Sequence, residues 1–179
     1  MKNHILNGLV AISSLCASAV VLAQTPAAPA AAQSGPAAQP PARGPSLELA
    51  LEAARTVVES CTAREQKIGV SVLDSAGVPK VVLASDGASP RGVQSGNAKA
   101  VTALAFKNAS SQIGEQIKTD KVLAERVAAT ASYNARAGGV LLKVGDEIIG
   151  AIGVGGARGS ENDEACALAG VQKIQARLK

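Results

Sequence analysis

Histidine is almost missing from this chain, and so are aromatic rings. The 179 residues hold one histidine, one methionine, one phenylalanine, one tyrosine and no tryptophan. His4 and Met1 both lie in an N-terminal segment that reads as removable. A chain without histidine has no Ser-His-Asp or Cys-His pair for nucleophilic catalysis. It also has no ordinary zinc site, since Cys61 and Cys166 would be its only soft ligands. Charge of one sign is scarce as well: 18 basic and 14 acidic residues give a net charge of only +4, scattered along the chain. With neither a basic stripe nor a platform of rings, nucleic acid is excluded as a partner.

What is present begins with an export signal. Lys2 gives a positive start, residues 5–22 an apolar middle, and Val21, Leu22 and Ala23 a permitted cleavage site. Residues 1–23 therefore read as a signal peptide, which predicts a periplasmic or secreted protein with no membrane contact after cleavage. A membrane anchor is the competing reading, but Asn7, Ser13, Ser14 and Ser18 interrupt the apolar run. Lipid attachment at Cys16 is disfavoured by the bulky Leu15 before it. Residues 24–45 hold six of the eight prolines among alanines and cannot bury a core, so they read as a disordered, partly polyproline-like tether.

Residues 46–179 read as one domain. Leu47, Leu51, Ala54, Val58 and Cys61 recur at helical spacing behind Ser46, a candidate N-cap, so 46–67 is expected as a helix. Strands follow at 68–73 and 79–84 around a turn at 74–77, with Asp74 and Asp86 as turn residues. Residues 85–96, SDGASPRGVQSG, read as a loop and 97–106 as a helix. One or two further helices are expected over 108–130, broken near 118–120.

The stretch 138–171, GGVLLKVGDEIIGAIGVGGARGSENDEACALAGV, predicts a hairpin turning at Gly145-Asp146, a glycine-rich exit and a helix capped by Ser160. Glu161, Asp163 and Glu164 carry the sign that a helix N-terminus favours. The exit is not a nucleotide loop: Arg158 stands where a dinucleotide fingerprint needs glycine, and no Lys-Ser or Lys-Thr follows. Close packing of strand and helix accounts better for its glycines. Two hairpins among helices predict an α+β fold with a mainly antiparallel sheet.

This same stretch resembles the signature of the GlcG/HbpS-like haem-binding family, a GG pair followed by a hairpin and G-A-I-G-V, then an acidic pair and a helix. VSVLDSAGVPKVVLASDGA and KAVTALAF resemble two further blocks of that family. Leu141 departs from it, since many members have proline there. The resemblance spans residues 46–179. It implies a sheet of about five strands with flanking helices, self-association into dimers or larger rings, and a flat ligand such as haem or a related tetrapyrrole, bound without catalysis. Two other functions stay open: an accessory protein or enzyme acting on a small organic acid, and a ring-forming interaction module.

Candidate ligand contacts follow from that resemblance. Lys99, at the head of KAVTALAF, is suited to a propionate, or else is a solvated helix charge. Arg91 is a second basic candidate, and Gly138 and Gly139 are further candidate contacts, while the glycines at 150, 153, 155 and 156 leave space for a backbone, a helix or a flat ligand. The usual histidine or methionine ligand to haem iron is missing, so Tyr133 is the candidate axial ligand, with a half-buried structural tyrosine as the plainer reading. Cys61 and Cys166 are either a disulfide or two buried thiols.

Overall fold

The computed structural model describes residues 41–179, so the expected signal segment and residues 24–40 of the expected tether lie outside the described residues. The order is α1 (Leu47–Thr62), β1 (Gly69–Asp74), β2 (Pro79–Ala84), α2 (Pro90–Phe106), α3 (Ser110–Gln116), α4 (Lys121–Ala128), β3 (Gly139–Val144), β4 (Glu147–Gly155) and α5 (Ser160–Ile174), closed by a single 3-10 turn. The two hairpins join into one antiparallel sheet in the order β2-β1-β4-β3. The fold is α+β, as expected, but the sheet has four strands rather than about five. Between β2 and β3 the chain forms helices, turns and irregular links but no strand.

Three expectations about helix ends are corrected. Helix α2 starts at Pro90, inside the stretch expected as a loop: the Ser89 hydroxyl accepts from the Gly92 amide (3.0 Å), and proline at the first helical position needs no partner for its missing N–H. Helix α1 ends at Thr62, five residues early, in a turn where Glu65 takes φ 56°. Ser160 does not cap α5; it is the first helical residue, and Gly159 at φ 90° stands in the cap position. Asp74 does act as a turn residue, its carboxylate accepting from the amides of Ala76 and Val78 (both 2.9 Å).

Helices α1 and α5 cover one face of the sheet. Their core is aliphatic: Val57, Val70, Val72, Leu142, Ile152, Val154 and Ile174 are buried there. Cys61 and Cys166 lie in this core and form a disulfide with Cα atoms 5.7 Å apart, tying α1 to α5. Leu47, expected on the buried stripe, is instead 57% exposed, and Ala50, Ala53, Ala54, Val57 and Cys61 make the contact face of α1.

Helix α2 covers the other face through residues with little or no side chain. A Cβ on Gly155 would stand 2.5 Å from the carbonyl oxygen of Gly92 and 2.6 Å from the amide of Gly96. A Cβ on Gly153 would strike the Gly96 carbonyl and lie 2.7 Å from the Ala100 amide, and one on Gly69 would lie 2.5 Å from the Cα of Val93. Helix backbone therefore rests on strand backbone, which only glycine allows.

At the hairpin-turn end of the sheet, residues 43–45 are seated. The Ser75 amide donates to the Arg43 carbonyl (2.8 Å), the Arg43 amide donates to the Ser75 hydroxyl (2.9 Å), and the Arg43 guanidinium meets Glu147 at 2.6 Å.

Two outcomes follow. Gly153→Ala should lower stability by about 1–3 kcal/mol, because the added methyl has no space; an unchanged urea midpoint would contradict the packing described here. Replacing Cys61 and Cys166 together by serine opens a cross-link of 105-residue separation and should cost about 2–5 kcal/mol, read as a fall in melting temperature.

Candidate functional site

The opposite end of the sheet carries a cleft of about 600 Å³. Ser111, Gly114 and Glu115 of α3 form one side, residues 135–137 the second, and Ser160, Glu161, Glu164, Ala165 and Leu168 of α5 the third. Gly114 lets the chain at Ala135 pass against α3, since a Cβ there would collide with the Ala135 carbonyl.

Hydroxyl groups hold this segment on its way into β3. Thr102 accepts from the Asn134 amide (2.7 Å) and donates to the Ala98 carbonyl (2.8 Å). The Asn134 side chain donates to Ser95 (3.0 Å). The buried Ser110 hydroxyl accepts from the Gly139 amide (2.8 Å) and donates to the Arg136 carbonyl (2.7 Å). In the cleft itself, Arg136 Nε donates to the Ser160 hydroxyl (2.9 Å), and the Ser111 hydroxyl donates to Glu164 (2.8 Å).

Behind the cleft lies an ion pair. Lys99 Nζ meets Asp163 Oδ2 at 2.6 Å, with the two side chains only 2% and 4% exposed. The second Asp163 oxygen accepts from the Ala157 amide (2.9 Å), so the pair ties α2, α5 and the glycine-rich exit of β4 together. Burial pushes the Lys99 ammonium below its ordinary pKa and the Asp163 carboxyl above its own; the hydrogen bond and the opposite charge oppose both shifts without cancelling them. Gly138, at φ 128°, fits over this pair: a Cβ there would lie 2.9 Å from the Asp163 Cβ and 3.0 Å from the Lys99 Cδ.

Of the residues singled out from sequence, Lys99, Gly138 and Gly139 come together, but all three are buried and outside the cleft lining: Lys99 is committed to Asp163, and the space at the two glycines is filled by Lys99, Asp163 and Ser110. Arg91 is exposed at the start of α2 and does not line the cleft. Tyr133 is half-buried and lies outside the cleft lining; its ring packs edge-on against Phe106 at 5.2 Å, and the Arg126 guanidinium lies 5.1 Å from the centre of the Phe106 ring. Sequence reasoning missed Arg136, the one basic residue in the cleft lining. Its place two residues before the Gly138-Gly139 pair was the available signal. Asp163 was read as a charge favouring the helix start, whereas it is the buried partner of Lys99. Among the described residues no group of three His, Cys, Asp or Glu is placed to hold a metal ion.

Residues 46–172 match the family model described as haem degrading protein HbpS-like. A double Glu-to-Asp mutant of HbpS from Streptomyces reticuli is 30% identical, with a TM-score of 0.68 over 83% of this chain and 97% of that one. The Klebsiella pneumoniae protein ORFY is 20% identical, with a TM-score of 0.70 over 79% and 97% of the two chains. PduOC, solved as a heme complex, is 22% identical, with a TM-score of 0.67 over 73% and 95%. The last two share the fold. No curated protein matches the chain at a significant level.

Removing one member of the buried pair should be costly. Lys99→Met should lose about 3–5 kcal/mol, because it leaves Asp163 buried alone, and Asp163→Leu in the same chain should restore most of it. The single variant also gains a pH dependence. Its Asp163 titrates above the unfolded value of 3.8, so its stability is greatest below that pH and falls as pH rises through the raised folded value. Melting temperatures between acid and neutral pH check the sign.

Proposed function

The chain belongs to the HbpS-like family, and from that premise we propose that it is an exported protein that binds haem or a related tetrapyrrole without catalysing a reaction. The observation that carries the reading is the cleft of about 600 Å³ between α3, residues 135–137 and α5, a size suited to a small-molecule site. Ala135, Ala137, Ala165 and Leu168 offer it apolar lining, and Arg136 offers one guanidinium for a propionate. Export is supported by the signal-like segment 1–23 and by a buried disulfide, which suits an oxidising compartment.

The lining fits the ring better than the iron. The iron of a bound haem supplies redox chemistry, but no histidine, cysteine, methionine or tyrosine lines the cleft to hold it. The chain's own part is to bind the ring, orient one carboxylate at Arg136 and cover an apolar edge. Self-association belongs to the same reading, and Val122, 77% exposed on α4, offers apolar surface for it.

Titration with haemin, followed by absorbance, tests this. A saturable Soret shift near one haemin per chain is expected. Arg136→Ala should weaken it by about tenfold, in line with the loss of one charge-assisted contact. Tyr133→Phe should leave it intact, and loss of the shift there would assign the iron to the phenolate instead. An unchanged haemin spectrum with the wild-type chain would defeat the proposal.

A further inference from the structure

The charges around the cleft are unequal. Glu115, Glu161 and Glu164 line it together with a single cation, Arg136; Glu115 is already paired with Lys118 (2.6 Å), which leaves Glu161 and Glu164 facing Arg136. Two of these groups are held in place: Glu164 accepts from the Ser111 hydroxyl (2.8 Å), and Arg136 Nε donates to the Ser160 hydroxyl (2.9 Å). That bond uses the guanidinium's inner nitrogen and leaves its two terminal nitrogens for an anion. A first ligand carboxylate therefore finds a fork of donors. A second finds only carboxylates of its own sign, or the alanine and leucine side of the cleft, where a charge is desolvated without a partner.

We propose that the cleft, taken as the tetrapyrrole site above, selects by carboxylate number. It accepts a ring with few carboxylates, seating one on Arg136 and leaving any other in solvent. It turns away rings with carboxylates on every edge, because whichever edge enters brings more negative charge than Arg136 offsets. The glutamates are the specificity-determining residues, Glu161 and Glu164 foremost, because Lys118 already offsets Glu115. None touches the fold's buried core: Glu115 and Glu161 are exposed and Glu164 is half-buried, so their replacement leaves the fold in place.

The test compares the dicarboxylate mesoporphyrin with the octacarboxylate uroporphyrin by fluorescence titration, on the protein and on a variant with Glu115, Glu161 and Glu164 all changed to glutamine. Mesoporphyrin should bind at least about tenfold more tightly to the unmodified protein. In the glutamine variant that preference should shrink several-fold, and added salt should shrink it in the unmodified protein. Equal affinity for the two porphyrins overturns the proposal. So does a preference that the glutamine variant leaves unchanged, since that would trace it to the bulk or apolarity of the ring's other substituents. Binding by neither porphyrin overturns the tetrapyrrole reading, and this selectivity with it.

Discussion

The backbone contact between α2 and the sheet is the constraint on which the rest of this molecule depends. Gly69, Gly153 and Gly155 on the sheet face Gly92, Gly96 and Ala100 on the helix, with no room for a methyl group between them. Such contact carries little hydrophobic gain per residue, since there are few apolar side-chain atoms to bury. Its effect is positional. It fixes the depth of α2 against β4, and with it the places of Ser95, Lys99 and Thr102 further along the helix. Those residues in turn reach the segment that walls the cleft. The aliphatic core on the other face, with its disulfide, supplies burial that the glycine face cannot.

Polar groups take over where glycine leaves no apolar contact. The chain from Asn134 to Gly139 is held by the hydroxyls of Thr102 and Ser110, and the buried Lys99–Asp163 pair sits directly beneath it. Both members of that pair are shifted toward their neutral forms by burial, so the pair adds little net stability over a well-packed apolar substitute. What it adds is geometry: a carboxylate bonded at once to α2 and to the Ala157 amide sets the angle at which β4 hands over to α5.

Both hairpins, the α+β class and the family could be read from the residues, because alternating and continuous apolar runs around Asp74 and Gly145-Asp146 report strands directly. Helix α2 was only half legible. Gly92 and Gly96 have the composition of a loop, and their purpose, contact with another backbone, is tertiary and leaves no local trace. Lys99 was misleading for a related reason: a lysine on a helix is normally solvated, and nothing nearby in sequence announces a partner 64 residues away. Arg136 went unnoticed because its role comes from α3 and α5 closing around it. The strand count was the family's expectation, and the two hairpins alone account for the sheet.

Arg43 gives the domain a direction. It is seated beside the β1–β2 turn and Glu147, whereas the cleft opens where β4 passes into α5, so the strands run from one to the other. The two are separated by roughly a strand length, about 20 Å. The domain therefore has two poles, one where the chain arrives and one where a ligand would enter. Holding the folded domain at Arg43 itself would therefore leave the mouth on the far side, open to a ligand arriving from bulk solution.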